Sequence, residues 1–303
     1  MFNRMLPVIA LVLAGLTTGA FAAETKPLKA LLITGGCCHD YKNQVKIISE
    51  GLSARANVTW DVIFEGKDKE MIKFYGKEGW AKPYDVIVHN ECHAGYKDEK
   101  VIEKIVQDHS DAKVGVIMIH CAMHTFRNAK TKAWDKLVGV ESRRHGAKFP
   151  IVIRNLGRKH PITKGLPPTW TTPQGELYHT SILPGATVLG VGFKEGEEEK
   201  TRQVCIWANE YKKCRVFSTT MGHHNETMRE KVYLDLIARG LLWSCRKLDD
   251  DGKPLAGYGK TALINRPTEF RVYLASGAMV KFASEAEFAA ADLPALAALC
   301  CGR

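Results

Sequence analysis

Short, unbroken apolar runs alternate along the first half of the chain with longer polar segments in which apolar residues return every three or four positions. Residues 30–34, 60–64, 86–89 and 114–120 are such runs, and continuous apolar stretches of this length predict strands buried on both faces of a parallel sheet. The segments between them carry the helical period: Val45, Ile48 and Leu52 recur within 43–55, and Val101 and Ile105 within 98–109. Strand, helix and strand repeated in this way is βαβ architecture. From residue 149 the extended runs 149–155, 187–192, 204–208 and 215–220 are joined by turns rich in Pro and Gly. A last long helix is predicted over 227–243, with Val232, Leu236, Ile237, Ala238 and Leu241 toward the sheet.

Both ends of the chain depart from this alternation. Arg4, the apolar run 6–16 and the small-residue pattern Ala20-Phe21-Ala22 read as a secretory signal peptide over residues 1–22. The apolar run is well short of the roughly 20 residues that span a bilayer. The expectation is an exported chain, periplasmic or secreted, with no membrane span once the signal is removed. At the other end, Asp249-Asp250-Asp251-Gly252 and Gly257-Tyr258-Gly259 form a turn-rich linker. Residues 269–274 and 278–282 predict a hairpin around Ser276-Gly277, with an Ala-rich helix from Ser284. This extension, 247–303, is too small for a core of its own and is expected to pack on the main domain, 23–246.

Composition narrows the partners. Loss of the signal segment removes Arg4 alone among charged residues, so the net charge falls from +10 to +9. The charge is dispersed over solvated helix faces, with no arginine and aromatic stripe of the kind a nucleic-acid groove uses. Nucleic acid is therefore excluded as the expected partner. Nine cysteines cannot all pair with one another. Cys205 and Cys214 flank a short turn and are expected as cross-strand neighbours, Cys245 is placed to staple the tail through Cys300 or Cys301, and Cys92 and Cys121 read equally as buried thiols.

The chemistry concentrates at strand ends. The run 115–119 leads into His120-Cys121-Ala122-Met123-His124, and the run 215–220 leads into Gly222-His223-His224. In a parallel α/β sheet such strand-to-helix turns gather at the carboxyl edge, where ligands bind. His39 and Asp40 follow the first strand after Gly35-Gly36, at a turn that suits either a helix cap or an anion site. Glu91 closes the third strand. Glu176 and Tyr178, in a loop after Pro173, would face one side if that loop is extended, and a carboxylate beside a phenol suits hydroxyl recognition or proton transfer. His120, His223 and Glu176 are thus the expected catalytic groups. His39, Asp40, Glu91, His124, Tyr178 and Trp207 are the expected substrate contacts. Three imidazoles from three strand ends, His39, His120 and His223, would also hold a zinc or similar divalent ion with an open position. No compact motif such as His-Glu-x-x-His supports that reading. Unperturbed imidazoles protonate near pH 6 to 7, so activity is expected to fall there.

Six motifs occur together in order: residues 29–36 with His39-Asp40, His120-Cys121-Ala122, the turn 160–166, Glu176-Leu177-Tyr178, residues 204–207, and residues 215–223. In them the chain resembles the trehalose-utilisation, or ThuA-like, family of the class I glutamine amidotransferase-like superfamily. The resemblance implies a flavodoxin-like, doubly wound, mostly parallel sheet with helices on both faces. It also implies a role in carbohydrate catabolism, on a glycoside or keto-sugar. Lys212 and Cys214 depart from the family, whose members tend to have glycines in that turn. Three functions stay open: an enzyme that hydrolyses, eliminates or isomerises a sugar; a non-catalytic sugar-binding module using Trp170, Tyr178 and Trp207; and an amidotransferase-like hydrolase using Cys121 with residues 224–226. The sharp elbow of such nucleophiles wants small neighbours, which Cys121 lacks. The expected partner is a small carbohydrate, and self-association is left open.

Overall fold

The computed structural model describes residues 25–66, 68–261, 267, 269–274 and 278–291. In chain order the first half is β1 (Leu28–Gly36), α1 (Tyr41–Ser53), β2 (Val58–Glu65), α2 (Asp68–Tyr75), β3 (Val86–Cys92), α3 (Glu99–Ala112), β4 (Gly115–Ile119), a 3-10 turn (His120–His124) and α4 (Ala133–Val138). The second half is β5 (Val140–Phe149), β6 (Ile151–Asn155), β7 (Thr169–Thr171), β8 (Gly175–Ile182), β9 (Thr187–Lys194), α5 (Glu198–Thr201), β10 (Gln203–Tyr211), β11 (Cys214–Thr219), α6 (Asn225–Arg229) and α7 (Lys231–Ser244). The extension adds β12 (Phe270–Tyr273), β13 (Met279–Phe282) and α8 (Glu285–Ala290).

Eleven of these strands form one sheet in the order β13-β12-β2-β1-β3-β4-β11-β10-β9-β6-β7. The run from β12 to β11 is parallel throughout, and antiparallel strands flank it on both sides. The βαβ architecture read from the alternation and the doubly wound, mostly parallel sheet implied by the resemblance are what is observed. Its cause is visible in the burial pattern, because successive residues of one strand feed two different cores. Ala30, Leu32, Val62, Val88 and Ile117 pack on one face with α1 and α7. Leu31, Ile33, Ile63, Ile87 and Met118 pack on the other with α2, α3 and α4. Strands covered on both sides have no polar face, which explains their unbroken apolar runs.

Several expectations are corrected. The segment around Glu176 and Tyr178 is a strand, β8, which pairs with β5 in a separate two-stranded ribbon. The last long helix is two helices, α6 and α7, separated where Glu230 is extended at φ −62° and ψ 137°. Cys205 and Cys214 are not neighbours: Tyr211 pairs with Cys214 and Ile206 with Thr219, leaving Cys205 near the other end of β10. The turn that departs from the family pattern puts Lys212 at φ 51°, a left-handed conformation that glycine adopts without strain.

The extension does not stand apart. β12 pairs in parallel with β2, β13 pairs with β12, and Phe288 of α8 stacks on Phe270 with ring centroids 4.8 Å apart. Residues 1–22, Ser276, Gly277, Cys300 and Cys301, for which a signal, a hairpin turn and a staple were expected, lie outside the described residues. Among the described residues, no helix is long and apolar enough to cross a membrane.

The carboxyl end of β1 sets the spacing of the whole edge. Gly35 pairs with Glu65 on one side and Glu91 on the other, at φ +132°, and a Cβ there would lie 1.7 Å from the Glu65 carbonyl oxygen. A collision with backbone cannot be relieved by a rotamer change. Gly35→Ala is expected to destabilise the fold by about 2 kcal/mol or more, measured by urea unfolding; a change under about 0.5 kcal/mol, the size of an ordinary surface substitution, would refute the tight approach.

Candidate active site

Three strand ends and one ribbon deliver the site. β1 ends at Gly36 and turns through Cys37, Cys38, His39 and Asp40 into α1. β4 ends at Ile119, and His120 follows at φ 48°. A β-substituted residue in this left-handed conformation is strained, and it stands at the sharp strand-to-helix elbow where related folds place a nucleophile. Here the elbow presents an imidazole. β11 leads through Gly222, at φ +119°, into His223. β8 lies across this edge, and its alternation aims Glu176 and Tyr178 to the same side.

These side chains meet at one point. His223 Nδ1 lies 3.1 Å from His39 Nε2, 3.3 Å from His120 Nε2 and 3.2 Å from Glu176 Oε2. His120 Nε2 is also 3.6 Å from Glu176 Oε2 and 3.1 Å from the Tyr178 hydroxyl. The ligand atoms of His39, His120, Glu176 and His223 all fall within 4.8 Å of one another. One nitrogen carries at most one proton, so His223 Nδ1 cannot serve three partners through hydrogen bonds.

The outer nitrogens decide where the lone pairs point. His120 Nδ1 donates to the Thr220 carbonyl at 2.6 Å, which leaves Nε2 unprotonated and facing inward. The Tyr41 hydroxyl donates to the Cys37 carbonyl at 2.8 Å and therefore accepts from His39 Nδ1 at 3.2 Å, which leaves His39 Nε2 bare as well. An outer hydrogen bond that fixes the tautomer is the usual support of a metal-ligating histidine. The contacts of 3.1 to 3.6 Å also bracket the separation of about 3.3 Å between two ligands sharing a tetrahedral ion at about 2.0–2.1 Å. The three imidazoles and Glu176 therefore fit a divalent cation.

Electrostatics agree. Burial, followed by the neighbouring His120 and His223, lowers His39 to about 3, and burial also lowers His120. Burial would raise Glu176, yet the neighbouring His120 and His223 hold the carboxyl well below the usual range. An ionised carboxylate beside the unprotonated nitrogens of His39 and His120 is a donor set ready for a cation.

Above this floor opens a depression of about 580 Å³, lined by Cys38, His39, Asp40, His223, His224, Asn225 and Glu226. Asp40 Oδ2 accepts from Asn43 and Asn225 at 2.6 and 2.8 Å, so a carboxylate and an amide are fixed on the wall. His224, next to His223 in the chain, belongs to this lining.

Three of the expected substrate contacts lie elsewhere. Trp207 is wholly buried, and its indole donates to the Val138 carbonyl at 2.8 Å, so no face is free for a sugar. His124 is buried, bonded to Ser142 Oγ at 2.8 Å, and stacked face to face on Tyr178 at 4.0 Å; it supports the phenol from behind. Glu91 is enclosed in a different cluster, accepting from Tyr75 and His89 at 2.7 Å each, near Glu65 and His93. There burial and the Glu91 charge push Glu65 well up, so it keeps its proton, while bonding to His89 outweighs burial and holds Glu91 down to about 2.

Sequence reasoning missed three contributors. Thr220 acts through a backbone carbonyl and Tyr41 through a hydroxyl at the first position of a helix, neither of which has a sequence signature. His145 places Nε2 3.5 Å from Glu176 Oε2. Its only signal was its place in a polar extended segment, 142–148.

The fold and site define an α/β protein of the glutamine amidotransferase-like class whose elbow carries histidine. Residues 29–244 match the family model for trehalose utilisation, ThuA. The chain belongs to that family. Its structure is similar to a ThuA-like protein from Parabacteroides merdae, with 19% identity, a TM-score of 0.61, and 78% of this chain and 98% of that one covered. It is also similar to a ThuA-like protein from Bacteroides uniformis, with 18% identity, a TM-score of 0.57, and 78% and 99% covered. A cytoplasmic protein from Salmonella typhimurium, at 13% identity and a TM-score of 0.52 over 72% of this chain and 99% of that one, has the same fold. At these identities the likeness is one of fold alone. No curated protein matches the chain.

In metal-free protein, the unfolded chain takes up a proton on His39 near pH 6.5, which the folded site refuses until about pH 3. Stability should therefore fall as pH drops through that window. Urea midpoints in chelator between pH 7 and 4 are expected to decline less steeply for His39→Asn than for the wild type; equal slopes would show that the imidazole is not held neutral.

Proposed function

We propose that the chain is an exported, metal-dependent enzyme of carbohydrate catabolism, acting at a hydroxyl or carbonyl of a glycoside or keto-sugar. The observation that carries the reading is His223 Nδ1 at hydrogen-bond distance from three atoms, two of which are bare imidazole nitrogens aimed at the same point. Such an arrangement is costly without a cation at its centre. His39, His120 and His223 would hold the ion, with Glu176 beside them. A divalent ion there polarises a sugar oxygen and lowers the barrier to moving its proton. The carbohydrate class is supported by the family's description and by the polar wall of Asp40, Asn225 and Glu226, which suits hydroxyl groups. Export is supported by the pattern of residues 1–22.

The side chains divide the work. Asp40 and Asn225 orient hydroxyls at the mouth. Glu176, ionised and 3.2 Å from His223 at the edge of the depression, would accept a proton from a sugar hydroxyl. Tyr178 stays neutral, because burial and the nearby Cys121 raise its hydroxyl far above the ordinary range. It can therefore donate a hydrogen bond without carrying charge. Cys121 is no match for the nucleophile of an amidotransferase: its sulfur is buried against Cys92 at 2.9 Å, and His120 holds the elbow.

The test is an assay of the mature protein on trehalose, glucosides and their 3-keto forms, with and without chelator, alongside metal analysis. Close to one equivalent of metal at this site is expected, lost in His120→Ala together with activity. Glu176→Gln is expected to retain the metal and lose at least about a hundredfold in kcat. Cys121→Ala should keep most of the turnover. Stoichiometric binding of a sugar with no turnover would establish the binding module instead, and activity that survives complete chelation would remove the metal from the reading.

A further inference from the structure

Beneath the imidazoles runs a layer of thiols that the chemistry above does not use. Cys37 and Cys38 are exposed, with sulfurs 2.7 Å apart. Cys92 and Cys121 are buried, with sulfurs 2.9 Å apart. Cys37 also shares a hydrogen bond with Cys92, so the outer and inner pairs form one chain. The register explains the inner contact. Cys92 is the last residue of β3, and Cys121 stands in the 3-10 turn that follows β4, the parallel neighbour of β3. Sulfurs already in contact need only a small movement to reach the bonded distance of about 2.05 Å.

We propose that Cys92 and Cys121 are a modification site, oxidised to a disulfide that joins the ends of β3 and β4 under the active site, with Cys37 as the outer thiol that first meets a small-molecule disulfide. The Cys37 sulfur attacks that disulfide, forming a mixed disulfide and releasing one small thiol, which carries away the Cys37 proton. Cys92 attacks the Cys37 sulfur and expels the second small thiol with the Cys92 proton. Cys121 then attacks the Cys92 sulfur, so the Cys92 to Cys121 bond forms, the Cys37 to Cys92 bond breaks, and Cys37 leaves as a thiol bearing the Cys121 proton. One small disulfide is reduced to two thiols, and two protein thiols are oxidised to one disulfide. The raised proton affinities of Cys37 and Cys92 make exchange slow; contact between the sulfurs makes it selective.

The consequence reaches the site. Cys121 follows His120 directly, and its thiol bonds to the Tyr178 hydroxyl, which lies 3.1 Å from His120 Nε2. Closing the disulfide takes that thiol from Tyr178.

The experiment uses the full mature chain incubated with oxidised glutathione, then alkylated with N-ethylmaleimide, digested and read by mass spectrometry. The expected result is a major peptide pair linked through Cys92 and Cys121, reversed by dithiothreitol, while Cys205 and Cys214 remain alkylated. Cys37→Ser is expected to reach the same end point at least about tenfold more slowly, since direct attack on buried thiols is hindered. If Cys92 and Cys121 remain alkylated while Cys37 carries glutathione or links to Cys38, the modification site is overturned. If the linked pair forms equally fast in Cys37→Ser, the route through Cys37 is overturned. Neither readout depends on metal or turnover, so failure here leaves the sugar-active reading standing, and the reverse holds as well.

Discussion

The unprotonated nitrogens of His39 and His120, aimed at one point, repel, and the rest of the structure exists in a form that tolerates this. His39 Nε2 and His120 Nε2 lie 3.1 and 3.3 Å from His223 Nδ1. Protonation would relieve the crowding by making hydrogen bonds, but burial opposes it, holding His39 down to about 3 and His120 low. The backbone carbonyl of Thr220 and the hydroxyl of Tyr41 fix the two rings from outside. A site assembled in this way has its affinity for a positive centre built into the fold, because the folding energy of the sheet has already been spent on bringing the donors together.

Two strained positions lie at the same edge. His120 at φ 48° and Cys38 at φ 82° are left-handed without being glycine, and each is adjacent to or part of the donor set. The two glycines at the end of β1 permit the opposite extreme, a backbone approach that admits no side chain. Strained and side-chain-free positions in one row are what bring three loops close enough to share a ligand, and they persist because continuous apolar strands on both sides of the row over-determine its position.

Much of this was legible in the chain. Runs such as 30–34 and 114–120 have both faces apolar, and only a doubly covered parallel strand needs that; the order of elements and the edge at which His39, His120 and His223 collect follow directly. Glu176 was legible as a residue type beside Tyr178, though its strand was not, because β8 pairs only with β5 in an exposed ribbon whose polar pattern resembles a loop. Trp207 and His124 misled because the residue type does not show what the ring packs against. Trp207 lies mid-strand in β10 and is buried in the core that α4 shares, and His124 closes the 3-10 turn and stacks on Tyr178. Cys205 and Cys214 failed for a related reason, since distance in the chain across a turn does not give register. The turn at Lys212 pairs Tyr211 with Cys214 and displaces Cys205 along the strand.

Glu91 shows how two clusters of the same residue types part company. Glu65, Glu91 and His93 have ligand atoms as close together as those of the imidazole site, and Gly35 leaves the gap in which the two carboxylates meet. Yet Glu65 is pushed up until it keeps its proton, Glu91 stays ionised against His89, and Tyr75 donates to Glu91. The cluster thus balances its own charge with a proton and lies wholly enclosed. The imidazole site differs on both counts. His39 and His223 line an open depression, and the unprotonated nitrogens of His39 and His120 converge on His223 Nδ1. Exposure and an unmet positive centre, rather than residue type or proximity, separate a site that does chemistry from a buried network that holds the sheet edge in place.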